Sequence, residues 1–113
     1  MEIIRKSNNL SAKELYDLTI NPNAKRMREA IGGNLEVRAY AIYTDTQQDK
    51  EVTVTSILTP DGEIFSTNSP TFGREFEKML TMFEEMGETV HTIAVTQGRS
   101  RAGRDFTTCV YID

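Results

Sequence analysis

Arg99, Arg101 and Arg104 crowd into the stretch TQGRSRAGRDF, residues 96–106, between and beside Gly98 and Gly103. No acid interrupts them until Asp105. A guanidinium is a permanent cation whose planar fork meets phosphate oxygens two at a time and also stacks on flat rings. Glycines let such a loop bend and let a backbone approach closely. The chemistry open to this loop is therefore anion binding, with phosphate the best fit. A plain solvated hairpin tip is the alternative reading.

Bond-making chemistry finds no constellation. His91 is the single histidine and Cys109 the single cysteine. They fall in separate predicted strands with no third group beside them, so a Cys–His nucleophilic pair is unsupported. No ligand spacing for a metal occurs, and no G-x-G-x-x-G, G-x-S-x-G or Walker A motif. Gly98 and Gly103 have four residues between them, as in a phosphate loop, but Arg104-Asp105 follows where Lys-Ser/Thr is needed. The carboxylates are plentiful but fall in loops or on the outer side of a helix. The expectation is a protein that is not an enzyme and uses neither cofactor nor metal.

The elements that must hold the arginine loop can be read from periodicity. Ser11-Ala12-Lys13-Glu14 is a capping box, with Leu10 and Leu15 placed for a hydrophobic staple, so a helix is predicted over 12–19 that buries Leu15 and Leu18. Asn21-Pro22 opens a second predicted helix, 22–31, closed by Gly32-Gly33. Met27, Ala30 and Ile31 form its apolar side, and Lys25, Arg26 and Arg28 a solvated one, with phosphate contact as the alternative reading. The period then drops to 2. In LEVRAYAIYT, Leu35, Val37, Ala39, Ala41 and Tyr43 share a core face, and Glu36, Arg38, Tyr40, Ile42 and Thr44 a mixed one. TDTQQDKE is a polar loop. Residues 52–59 and 63–67 read as a hairpin about Pro60-Asp61-Gly62. Phe72, Phe76, Met79, Leu80, Phe83 and Met86 line one side of a long helix that ends at Gly87. Strands over 89–97 and 104–112 flank the arginine loop, the latter with Phe106, Thr108, Val110 and Ile112 on its more apolar face and Tyr111 opposite.

The predicted class is mainly β with helices (α+β) in a single domain, 1–113. Residues 1–33 are a helical extension. Residues 34–113 run strand, strand, strand, helix, strand, strand, the order of an OB-fold: a five-stranded, partly open barrel with its helix between the third and fourth strands. In that fold the arginine loop joins the last two strands, one of the places where such barrels hold oligonucleotides. Single strands also need rings on which bases stack. The candidate binding set is Arg38, Tyr40, Arg99, Arg101, Arg104 and Phe106. Phe65 is assigned to the core.

Composition bounds the partners. Net charge is −4, yet residues 39–98 hold three basic and ten acidic groups while 1–38 hold seven basic and five acidic. A local basic face is thus compatible with an acidic whole. One cysteine permits no internal disulfide, which fits a reducing interior. No apolar run approaches a membrane span or a signal core, so cytoplasmic residence is expected. An acidic protein–protein module, a replication accessory, host-enzyme inhibitor or DNA mimic, is the rival reading.

SILTPDGEIFSTNSPTF (56–72), FEKMLTMFEEMGE (76–88) and TQGRSRAGRDFTTCVYID (96–113) resemble the small OB-fold single-stranded DNA-binding proteins of phages and mobile elements of Gram-positive hosts. The resemblance implies a non-catalytic coat for unwound DNA with little sequence preference. It would act in replication or recombination within the bacterial cytoplasm, as a homodimer or larger homo-oligomer, with replication or recombination proteins as further partners. Its DNA-facing residues would be the loop arginines with Arg38 and Tyr40. Cellular relatives commonly add an acidic tail that recruits partners. Here only Asp113 follows the predicted last strand, and recruitment through a tail is not expected.

Overall fold

A computed structural model describes all 113 residues. The chain runs β1 (Glu2–Lys6), α1 (Ala12–Thr19), β2 (Lys25–Arg26), a 3₁₀ turn (Met27–Ala30), β3 (Asn34–Glu36), β4 (Ala39–Gln47), β5 (Lys50–Leu58), β6 (Ile64–Thr67), α2 (Pro70–Glu85), β7 (Thr92–Arg99) and β8 (Asp105–Tyr111). It is mainly β, with two helices and two sheets. One sheet has the order β1-β4-β5-β6-β2, the other β3-β7-β8.

The predicted strand over 35–44 is bent and serves both sheets. Val37 N donates to His91 O at 2.7 Å, while the next amide, Arg38 N, donates to Leu58 O at 2.9 Å. Upstream of that point the chain ladders with β7, downstream with β5. The bend also breaks the expected alternation. Leu35, Tyr40 and Ile42 enter one core with Phe72, Phe76, Ile57, Ile93 and Val95. Ala39, Ala41 and Tyr43 enter a second, beneath α1, with Leu18, Val54, Leu58 and Ile64. Both faces of β4 are thus buried, and neither is the mixed, half-wet face expected of Tyr40.

The five-stranded closed barrel is not formed. Closure would need β6 to pair with β8, and no such ladder exists. The physical reason is that the free edge of β6 is already taken: β2 runs parallel to it, Lys25 opposite Phe65 and Arg26 opposite Ser66. The nearest tie across the opening is Ser69 Oγ, which caps α2 at Phe72 N and donates to Thr107 O at 2.7 Å.

The N-terminal helical extension is corrected as well. Only 12–19 is helical there, with the predicted capping box in place: Ser11 Oγ accepts from Glu14 N, and Glu14 Oε1 from Ser11 N, both at 3.0 Å. Leu18 is fully buried and Leu15 partly so. Residues 2–6 form an edge strand on β4, with a bulge that turns Ile4 outward, a device common at sheet edges. Arg5 reaches α2 from it, donating to Thr81 Oγ1 and Glu84 Oε2. The predicted helix 22–31 gives way to β2 and a single 3₁₀ turn. Gly32 N and Gly33 O bond to Val95 O and N at 3.0 Å, extending the β3–β7 ladder back to residue 32. Sheet pairing at both ends leaves too few residues for an α-helix, whose nucleation is unfavourable.

Two further readings change. TDTQQDKE is not a long loop: β4 and β5 continue to Gln47 and Lys50, joined by Gln48 and Asp49 at φ 52° and 64°, a two-residue turn whose twist suits a hairpin. In β8 the core face carries Cys109, 2% exposed opposite buried Val95, whereas Val110 and Ile112 are about half exposed. Tyr111 packs against Phe83 of α2, ring centroids 4.6 Å apart. The α2 stripe behaves as read for most of its length: Phe72, Phe76, Met79 and Leu80 are buried and Phe83 packs partly buried against them, but Met86 falls at the C-cap and is 71% exposed.

Candidate nucleic-acid interface

Between β2 with its 3₁₀ turn and the unpaired edge of β8 lies a cleft of about 850 Å³. It exists because β6 and β8 do not meet. One wall is Arg26, Met27 and Arg28; the other is Gln97 of β7 with Asp105, Phe106 and Thr107 of β8; Asn68 and Gln47 close one side. Asn68 Nδ2 donates to Gln47 Oε1 at 3.2 Å, which ties the β4–β5 hairpin to the start of α2.

The cation wall follows from local sequence. Met27 is completely buried and acts as an anchor. The residues on either side of it then face outward, and both Arg26 and Arg28 are exposed. Neither guanidinium has a carboxylate partner within 4.0 Å, since Glu29 Oε2 accepts from the Arg26 backbone N–H instead. Their neighbour Lys25 is different. It is ion-paired to Glu63, which holds its ammonium pKa above the usual lysine range, and it lies 5.7 Å from the centre of the Phe65 ring.

The opposite wall is the β7–β8 hairpin. In register, Gly98 faces Phe106 and Arg99 faces Asp105. The tip is tight: Ser100 N donates to Arg104 O, Gly103 N to Ser100 O, and Gly103 takes φ 80°. Phe106 crosses Gly98 so closely that a Cβ there would stand 2.4 Å from its Cζ. The ring is thus seated on the bare backbone of Gly98 and half-buried, on the hairpin face opposite to Gln97 and Thr107, and the residue borders the cleft at the edge of β8. Arg101 and Arg104 project into solvent without ion-pair partners, and Arg99 Nε lies 3.2 Å from Asp105 Oδ1.

Of the residues expected to bind, Phe106 lies in the cleft wall, and Arg99, Arg101 and Arg104 lie at the hairpin tip that continues it. Two do not join them. Tyr40 is 8% exposed and meets Phe76 edge-on, ring centroids 5.6 Å apart. Burial raises its phenol pKa, and no ring face remains for a base. Arg38 is paired to Glu14 of α1 at 3.2 Å and lies at the end of β4 opposite to Gln47, roughly 30 Å away at the usual rise of an extended chain. Phe65 is core, as expected. The candidate set from sequence left out five polar residues that line the cleft: Arg26 and Arg28, whose phosphate contact was only the alternative to a solvated helix face, and the amides Gln47, Asn68 and Gln97. The available signal was the alternation of Arg26, Met27 and Arg28: an apolar residue with arginines at both neighbours suits an extended segment better than a helix face.

The family described as phage single-stranded DNA-binding protein matches residues 20–110, a span that includes both cleft walls and all of α2. No curated protein and no solved structure matches the chain. A match over most of the sequence, around a cleft rimmed by unpaired arginines, places this protein in the phage single-stranded DNA-binding family, with a role in phage DNA replication.

Proposed function

We propose that single-stranded DNA enters the cleft between the β2 turn and β8, with phosphates on Arg26, Arg28, Arg101 and Arg104 and a base against Phe106. The observation that carries this reading is the distribution of free arginines. Arg5, Arg38 and Arg99 are ion-paired. Of the others, Arg26 and Arg28 line the cleft, Arg101 and Arg104 belong to the hairpin tip that precedes cleft-lining Asp105 in the chain, and Arg74 lies elsewhere, on α2. An acidic protein with net charge −4 thus keeps four of its five uncompensated guanidinia on the two segments that face each other across the cleft.

The two sheets sharing the bent β3–β4 segment act as an OB-like scaffold whose barrel is kept open by β2, and the opening is the groove. The protein acts without catalysis and shows little sequence preference, because a phenyl ring stacks on any base and arginine reads only charge. Gln47, Asn68 and Gln97 add hydrogen bonds to base edges or sugars. Function extends to recombination as well as replication, in the cytoplasm of a bacterial host, with assembly into a homodimer or larger oligomer. The acidic interaction module is not favoured by the family match.

Fluorescence titration with oligo-dT at two salt concentrations tests the reading. Arg26→Ala with Arg28→Ala should weaken binding and flatten the plot of log affinity against log salt by about 0.7 for each phosphate that is no longer neutralised. Wild-type affinity in that variant moves the DNA path elsewhere. Light scattering of the free protein reads the oligomeric state, and a purely monomeric solution overturns that part.

A further inference from the structure

The cleft has a single carboxylate among its walls, Asp105. It stands directly across the ladder from Arg99, on the face that runs from Val95 and Cys109 through Gln97 and Thr107. The pair therefore sits where the inner wall of the cleft meets the hairpin tip. Three features distinguish it from a structural ion pair. Both side chains are well exposed, 72% for Arg99 and 52% for Asp105, so the pair contributes little to stability. The contact is one-point, Arg99 Nε to Asp105 Oδ1 at 3.2 Å, and no hydrogen bond engages the two terminal amino groups of the guanidinium. Neither residue makes another side-chain hydrogen bond or ion pair.

We infer that Asp105 is a built-in competitor for DNA phosphate. It holds Arg99 in the free protein and yields it when a strand enters, so that Asp105 sets how tightly and how reversibly the site binds. This rests on the cleft being the DNA path. A phosphate can first engage the free terminal amino groups and then displace the carboxylate from Nε, which makes the exchange stepwise. Arginine prefers a two-point contact with phosphate over the one-point contact it has. The carboxylate left behind remains at the cleft wall and opposes the phosphate, and on dissociation it recaptures Arg99. The cost of that exchange is subtracted from affinity, and the charge of Arg99 releases fewer counterions than a free arginine would.

The test is a double-mutant cycle of Asp105→Asn and Arg99→Ala, titrated with oligo-dT at two salt concentrations, with Arg26→Ala/Arg28→Ala as a separate reading of the cleft. Asp105→Asn should tighten binding about threefold to fivefold, slow dissociation, and steepen the salt slope by about 0.7, the value for one more phosphate neutralised on a single strand. The gain should vanish when Arg99 is alanine. Thermal melting of each variant should stay near wild type, as both side chains are exposed. If Asp105→Asn binds as wild type while Arg26→Ala/Arg28→Ala weakens binding, this inference fails and the cleft stands. A gain that persists without Arg99 also overturns it, since Asp105 then acts by direct repulsion. Unchanged binding in the Arg26/Arg28 variant overturns the cleft reading and this inference together.

Discussion

A Cβ on Gly98 would stand 2.4 Å from Cζ of Phe106, so the seat of the one aromatic residue that borders the cleft depends on the absence of a side chain across the ladder. Gly98→Ala should force that ring aside. Because the far end of a rotatable side chain moves rather than backbone, the stability cost is about 1 kcal/mol, but binding should fall with it. Phe106→Ala should cost about 1–3 kcal/mol of binding, the usual loss of one base–ring stack, in the same oligo-dT titration, and Gly98→Ala should approach it. Cys109 gives a residue-scale expectation of another kind. Burial pushes its thiol up to about 12 from an unfolded value of 9.0. A neutral group that is harder to ionise in the fold contributes stability that is whole below pH 9 and declines as pH rises from 9 toward 12. The decline approaches about 1.4 kcal/mol per pH unit. Urea denaturation at pH 8 and pH 10 should show it, and Cys109→Ala should reduce it. Tyr40 and Tyr43 are shifted in the same direction by burial and leave a remainder above pH 10.

At the scale of elements, α1 and α2 have different duties. The helix α1 closes the core beneath the five-stranded sheet through Leu18, and its start is fixed by the Ser11–Glu14 capping box. Ser11→Ala should destabilise the fold by about 0.5–2 kcal/mol, read by urea denaturation, and leave DNA affinity unchanged because α1 does not line the cleft. The helix α2 fills the space between the sheets with Phe72 and Phe76, whose rings stack 6.0 Å apart. Phe76→Ala should cost about 3–5 kcal/mol, a large share of a small domain's stability, and most of the protein should lose its cooperative melt. The short β2 has an effect out of proportion to its length: by pairing with β6 it keeps the two sheets apart and creates the cleft.

For the whole molecule, charge placement matters more than charge total. The net charge of −4 opposes a polyanion at long range, where salt screens it within about 10 Å at 0.1 M. On the proposed reading, close contacts are then decided by the arginines around the cleft. Binding should accordingly weaken steeply with salt and show a slope set by the number of arginines engaged. Wild-type protein that binds oligo-dT with no salt dependence would be inconsistent with any arginine-based site. No helix is long and apolar enough to cross a membrane.

Local physics carried much of this structure in the sequence alone. The capping box of α1, the Pro60-Asp61-Gly62 turn with Gly62 at φ 89°, the apolar stripe of α2 from Phe72 to Phe83 and the arginine-rich tip all depend on residues close in the chain, and each lies where its pattern put it. The run SILTPDGEIFSTNSPTF and the last eighteen residues likewise carried the family resemblance. What only the tertiary structure decided are events between distant segments. Lys25-Arg26 met the edge of β6 and became a strand although its local signals favoured helix. The bend at Val37–Arg38 sent Tyr40 into the core and broke an alternation that presumed a straight strand. The opening between β6 and β8 brought Arg26 and Arg28 opposite Phe106, which lies nearly eighty residues further along the chain. Propensity and period act over a few residues, whereas competition for a sheet edge is settled by which distant segment arrives there, and that competition made the cleft.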